Sequence, residues 1–478
     1  MFKKYNTIIY YTFLTILCGF IFRFYNLSFE NLWFDEIVSF YIADPKISFF
    51  ESYQRNNSGE GTPFLFNFLL KILHMIFGYT PNIGRYFSCA VSVLSIFSMI
   101  FLAKTIKNNN SYLLIIFLVS LNIFLIQYSQ ELRVYSLVFF LCTMTLIFYF
   151  QILKENTGNK YFSKNSFLFI ILQILSILSH PFTIIIFGSI ILYVIANQIF
   201  KKKINKLLNI SIFIIFIFLV FYLPYYLIIT EPYPSWISHP TANFYTNFYS
   251  SKFFGSRLLG LTHFIILFYL IFKFKEKFIK NLEPSITLIF ILFFSYFVPI
   301  IFGYIYKPIL APRYIIFNLI PIMILISYLT FELRERKIKF FIIFIISILT
   351  LGNLWTETTI QQFLKERPSH KPQYTLALKS IDSSNYKNFV INMSFTKTNK
   401  NYFDNAINNY FQRIELEEKF NIDYFKIKEI EKEEYFWSIC LMDLNESDCE
   451  NIDTNKSLEI IEEKNYNSVN LKLIKFSE

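Results

Sequence analysis

Two adjacent carboxylates stand in the stretch Leu32-Trp33-Phe34-Asp35-Glu36, among aromatic residues and soon after a long apolar run. A charge held where membrane gives way to water is costly, and it usually has a partner or a function. Partly buried and close to a hydroxyl, a carboxylate can accept a proton as a general base, and Asp35 is placed for that work. Taken alone, such an Asp-Glu pair more commonly docks a helix through a base such as Arg85. A second cluster, QYSQELRVYSL from Gln127 to Leu137, brings Glu131 and Arg133 together. The planar fork of Arg133 suits a pair of phosphate oxygens, with Tyr128 and Tyr135 as hydroxyl donors, although a salt-bridged helix start would use the same residues. His180 lies in Ser179-His180-Pro181-Phe182 at a proline-broken helix end, where an interfacial hydrogen bond is the commoner role. Lys307 and Arg313 precede an apolar run in KPILAPRYIIFNLIP, either as snorkelling anchors or as cations for an anionic ligand.

The elements that must position these residues follow from composition. The 478 residues are 54% hydrophobic and 21% aromatic, more apolar surface than one soluble core can hide, so the chain is expected to be a polytopic membrane protein. Runs long enough to cross a bilayer fall at about residues 8 to 25, 85 to 104, 112 to 128, 134 to 153, 166 to 180, 182 to 200, 207 to 229, 258 to 273, 285 to 305, 313 to 331 and 338 to 355. Eleven alternating spans put six basic groups on one side: Lys3/Lys4, Lys104/Lys107, Lys154/Lys160/Lys164, Lys201/Lys202/Lys203/Lys206, Lys273/Lys275/Lys277/Lys280 and Arg334/Arg336/Lys337/Lys339. That side is the cytoplasm. The N-terminus is then cytoplasmic, the first span reads as a retained signal anchor, and the C-terminal part lies outside. Asp35, Glu36, Arg85, Glu131, Arg133, His180, Lys307 and Arg313 all come to the outer side. Lys307 and Arg313 run against the positive-inside rule there, which favours an anionic ligand.

Residues 26 to 84 form an outer loop, in which Thr62 to Gly78 reads as a helix lying in the interface, interrupted by Lys71 and His74. From about Thr356 the chain turns polar, with strand-like stretches NFVINMSF, YFWSICLMD and VNLKLIKF. The expected domains are thus a transmembrane part, 1 to 355, and a small extracytoplasmic α/β domain, 356 to 478. The net charge of +11 comes from the membrane part, since from Glu357 onward 16 Lys and Arg stand against 21 Asp and Glu. That distribution, with no nucleic-acid-binding motif, argues against a nucleic-acid partner. Cys18, Cys89 and Cys142 lie in spans, while Cys440 and Cys449 are near enough to form a disulfide in an oxidising compartment, and no metal-ligand spacing occurs.

The motifs LWFDE after a span containing Arg23, TPFLFNFLLKILHMIFG followed by GRYFS, YSQELRVYSL, SHPF and APRYIIFNLIP together resemble the bacterial GT-C glycosyltransferases. These include protein O-mannosyltransferases and lipid A aminoarabinose transferases, and the likeness is closest to the Rgt-like domain type. It covers about residues 8 to 330. The resemblance implies an enzyme of the inner membrane with a GT-C fold. It would move a sugar, with inversion, from a polyprenyl-phosphate carrier to an acceptor hydroxyl of a lipid, glycan or protein on the extracytoplasmic face. By the same resemblance Asp35 is the base, Glu36 assists or organises its loop, Arg133 lies near the donor phosphate with Glu131, and Arg85, His180 and Arg313 match recurring positions of the family, while Tyr135 and Lys307 join the candidates for substrate binding on their residue types and placement alone. No cofactor is implied, and no metal either, although Asp35, Glu36 and Glu131 are the acids that could ligate one. Thr62-Pro63 departs from the usual Pro-Pro of that motif, and the outer tail carries no motif of the family.

Two other readings compete. A transporter or flippase of lipid-linked sugars predicts charges near the bilayer midplane and internal repeats, whereas the acids here gather at one surface and no repeat is evident. An O-antigen polymerase or ligase predicts a late outer loop rich in Arg and His. Residues 230 to 257 supply only His239, Lys252 and Arg257.

Overall fold

The computed structural model describes residues 2–28, 30–155, 161–201, 205–229, 237–247, 250–281, 285–355, 371–392, 400–425, 434–441 and 458–476. Lys160, Lys202, Lys203 and Cys449 lie outside the described residues. The helices, in order, are α1 (Phe2–Phe24), α2 (Phe34–Ile42), α3 (Phe49–Gly59), α4 (Leu65–Phe77), α5 (Pro81–Ile106), α6 (Ser111–Leu121), α7 (Ile123–Ser129), α8 (Tyr135–Lys154), α9 (Lys164–Ser179), α10 (Ile184–Lys201), α11 (Lys206–Ile229), α12 (Ala242–Asn247), α13 (Ser250–Phe254), α14 (Arg257–Lys273), α15 (Lys275–Asn281), α16 (Ile286–Ile305), α17 (Leu319–Glu332), α18 (Arg336–Trp355), α19 (Tyr374–Ser383) and α20 (Lys400–Glu418). Short 3-10 turns, Pro181–Thr183 and Pro312–Asn318, precede α10 and α17. The apolar runs fold as helices because in lipid each backbone N–H and C=O must be satisfied within its own segment. Among the described residues seven helices are long and apolar enough to cross a membrane, or eight if α6 and α7, bent by 53° at their junction, make one span. The other three expected spans fall on α1, α9 and α14, which are 23, 16 and 17 residues long.

Contacts divide the chain into two units. The first comprises Met1–Tyr25, Thr62–Phe66 and Arg85–Glu366, and the second Asn26–Gly61, Asn67–Gly84 and Arg367–Glu478. In the first unit α1 and α6 meet at small residues. A Cβ added to Gly19 would lie 2.8 Å from the Ser120 Cβ, so only glycine allows this approach. One turn on, Arg23 is completely buried. Its Nε donates to Ser92 Oγ at 2.8 Å, its Nη1 to the Gly19 and Ser120 carbonyls, both at 2.9 Å, and its Nη2 to the Val119 carbonyl at 2.9 Å. One side chain thereby joins α1, α5 and α6.

The second unit holds a five-stranded sheet of β1 (Asn388–Asn392), β2 (Asp423–Tyr424), β3 (Tyr435–Leu441), β4 (Leu458–Tyr466) and β5 (Val469–Phe476), in the order β2-β1-β3-β5-β4. The three strand-like stretches of the sequence are β1, β3 and β5. β1 runs parallel to β2 and β3, while β5 pairs antiparallel with both β3 and β4. Parallel neighbours need a crossover, and α20 supplies it between β1 and β2. One face of the sheet is sealed by Val390, Phe436, Ile474 and Phe476. Cys440 on β3 is disulfide-bonded.

Replacing Arg23 tests its role as a tie. Arg23→Leu is expected to lower the free energy of unfolding by about 3 kcal/mol, because buried carbonyls lose their donors. In detergent-solubilised protein the melting temperature should fall by several degrees. Arg23→Lys should recover only part of the loss, since a single ammonium lacks the planar spread of donors.

Candidate active site

In the first unit the turn between α7 and α8 carries Glu131 and Arg133, both buried. The turn is pinned from two sides. Gln130 Nε2 donates to the Phe22 carbonyl at 2.9 Å, and Ser88 Oγ donates to the Arg133 carbonyl at 3.4 Å. Cys89, also on α5, donates its thiol to the Ser129 carbonyl at 3.1 Å, and Arg85 lies buried one turn earlier on the same helix. At the end of α9, Pro181 stops the helix and leaves His180 in extended backbone. The His180 Nδ1 accepts from the Phe182 N–H at 3.3 Å, which in the neutral ring leaves the hydrogen on Nε2.

These pieces converge on one cluster. The His180 ring lies 6.5 Å from that of Tyr135 and 5.1 Å from that of Tyr314, and Tyr135 packs edge-on to Tyr128 at 5.0 Å. The Arg133 guanidinium is 6.0 Å from the Tyr135 ring centre, and that of Arg313 is 5.6 Å from the Tyr314 ring. Arg133, Tyr135, His180 and Arg313, expected from the sequence, are therefore assembled from three separate breaks in the helical run. Lys307 lies half-buried in the segment between α16 and the 3-10 turn. Tyr314 was not singled out by sequence reasoning, and its only signal is adjacency to Arg313.

In the second unit α2 carries the acidic pair in its first turn, where the positive end of the helix dipole favours negative charge. The two carboxylates fare differently. Asp35 is half-buried, whereas Glu36 has no exposed surface. Glu36 Oε2 accepts from the Trp33 N–H at 3.2 Å and from Lys371 Nζ at 2.7 Å. The other end of α2 is held by α4. Lys71, 1% exposed, donates to the Asp44 and Ile47 carbonyls, and His74 Nδ1 donates to the Ala43 carbonyl at 3.0 Å. These two residues are three apart, hence on one face of α4, and they donate to carbonyls of the C-cap and the segment that follows α2. Tyr79 stacks on Phe40 at 4.0 Å, with its hydroxyl 3.0 Å from the Phe40 carbonyl. Lys371 is absent from the sequence-based site because nothing local links it to a residue 335 positions earlier.

Among the described residues no three His, Cys, Asp or Glu side chains gather into a metal-sized group. No protein-family profile and no curated protein matches the sequence. Solved structures do match. ArnT from Cupriavidus metallidurans in the apo state aligns over 98% of this chain and 98% of its own, at 10% identity and a TM-score of 0.58. The same protein bound to undecaprenyl phosphate aligns equally far, at 9% identity and a TM-score of 0.51. The oligosaccharyltransferase AglB from Archaeoglobus fulgidus, in complex with an inhibitory peptide and a dolichol-phosphate, aligns over 92% of this chain and 70% of its own, at 10% identity and a TM-score of 0.55.

His74 gives this architecture a pH signature. Burial holds its pKa down at about 4, against an ordinary value of 6.5. Between those values the unfolded chain binds a proton that the folded chain refuses. Stability is therefore full above pH 6.5 and falls as the pH drops toward 4, by on the order of 3 kcal/mol. Thermal unfolding followed against pH should show this slope, and His74→Gln should flatten it.

Proposed function

From the GT-C fold that the chain shares with ArnT and AglB, we propose that it is a membrane glycosyltransferase. It takes a sugar from a polyprenyl-phosphate carrier and gives it to an acceptor hydroxyl on the extracytoplasmic face, with inversion at the anomeric carbon. Asp35 is the general base. The acceptor O–H transfers its proton to Asp35 while the oxygen attacks the anomeric carbon. The bond from that carbon to the phosphate oxygen breaks, and its electron pair leaves with the polyprenyl phosphate.

The observation that carries this reading is the placement of Arg133 and Arg313 over the Tyr135 and Tyr314 rings that neighbour His180. Two guanidiniums in a desolvated aromatic surround favour an anion, and fixed cations are most effective where charge develops on a leaving group. Arg133 and Arg313 bind the phosphate, with Arg85 and Lys307 adding positive charge, and the Nε2–H of His180 and the hydroxyl of Tyr135 serve as neutral donors. Glu131 offsets part of that charge. Glu36, buried and paired, organises the loop that presents Asp35.

The test is transfer from radiolabelled polyprenyl-phosphate sugars in membranes. Asp35→Asn should lose about a hundredfold to ten-thousandfold in kcat with the protein still inserted. Arg133→Gln should weaken donor binding and slow transfer together. Full activity in Asp35→Asn would remove that residue as the base.

A further inference from the structure

Residues 31 to 36 are fastened to a part of the chain far away in sequence by more than the Glu36 pair. The Asn31 side chain bonds Thr375 reciprocally, its Nδ2 donating to Oγ1 at 2.8 Å and its Oδ1 accepting from the Thr375 N–H at 3.1 Å. The Leu32 N–H donates to the Tyr410 hydroxyl at 2.9 Å. Phe34 packs on Phe403 of α20 with ring centres 5.1 Å apart. Lys371 is itself clasped by the turn between β4 and β5, where Asn467 Nδ2 donates to the Lys371 carbonyl at 3.0 Å. Asn467 also exchanges backbone contacts with Gln373, its N–H reaching the Gln373 Oε1 at 3.0 Å and its carbonyl accepting from the Gln373 N–H at 3.1 Å.

We propose that Lys371, with Tyr410, is a positioning residue for Asp35. Neighbouring side chains on a helix point about 100° apart, so fixing one fixes the other. Lys371 binds Glu36 and sets the rotation of α2 about its axis. Tyr410 holds the chain entering the helix, while Lys71 and His74 hold its far end. The half-buried carboxylate of Asp35 then keeps one direction. This inference rests on the transferase reading for its catalytic consequence, and the ammonium of Lys371 takes no part in proton transfer.

The experiment uses the full chain in lipid nanodiscs with Lys371→Met, Tyr410→Phe and Lys371→Arg. In the first two, kcat should fall about tenfold to a hundredfold, because a displaced base is a poor one, with donor KM within about threefold of wild type. Lys371→Arg should recover most of kcat. Hydrogen exchange reads the positioning without turnover. Exchange over residues 31 to 37 should quicken in Lys371→Met and Tyr410→Phe and stay unchanged over residues 86 to 106. Tyr410→Phe keeps the ring, so it remains informative if Lys371→Met misfolds. Unaltered exchange over 31 to 37, or faster exchange with kcat intact, would overturn the proposal. A wild-type protein that transfers from no polyprenyl-phosphate sugar would instead sink the transferase reading, and the exchange data alone would then decide whether Lys371 fixes α2.

Discussion

A charge taken out of water must be returned an equivalent set of dipoles or counter-charges, and this constraint explains the placement of every fully buried ionic group discussed above. Arg23 is matched by three carbonyls and a hydroxyl, Lys71 by two carbonyls, and Glu36 by an ammonium and a backbone N–H. Each match draws on at least two elements. Because an ion that loses its partner is far costlier than a lost apolar contact, these groups fix the relative placement of the elements they join within each unit. Dispersion alone would leave apolar helices freer to slide, since lipid and neighbouring helix are equally greasy.

The cluster around His180 follows a different logic. Its residues come from the turn after α7, the break after α9 and the 3-10 turn before α17, all places where the helical hydrogen-bond ladder is interrupted. At the first break Ser88 and Cys89 donate to the freed carbonyls of Arg133 and Ser129, and at the second the imidazole of His180 accepts from the Phe182 N–H. The side chains that satisfy the backbone of the turn after α7 therefore also hold the stretch that carries Arg133. Arg133 lies over the Tyr135 ring and Arg313 over the Tyr314 ring, so that two positive groups come close to the same set of aromatic side chains.

Much of this was legible in the sequence. Apolar period and basic loops located the helices, since backbone satisfaction in lipid is a local requirement, and alternating stretches located β1, β3 and β5. The residues Arg133, Tyr135, His180 and Arg313 were legible as chemistry, because charges and a broken helix stand out against an apolar background. Their convergence was not, because it depends on packing among α8, α9 and the 3-10 turn. Lys71 and His74 registered only as interruptions of a helical pattern, although their spacing of three already implied one face. The pairing of Glu36 with Lys371 and of Leu32 with Tyr410 left no trace, since a single side-chain contact across more than three hundred residues imposes no period on either partner.

The fastening of residues 31 to 36 by residues 371, 375 and 410 bears on how the protein is made. The loop with Asp35 leaves the ribosome early, while the groups that orient it emerge only after the intervening helices have been threaded into the bilayer. Until that later segment is made and folded, the acidic pair lacks the contacts that set it. The order of synthesis is thus written into the fold, since residues 31 to 36 reach their packed arrangement only once residues 371 to 410 have been made.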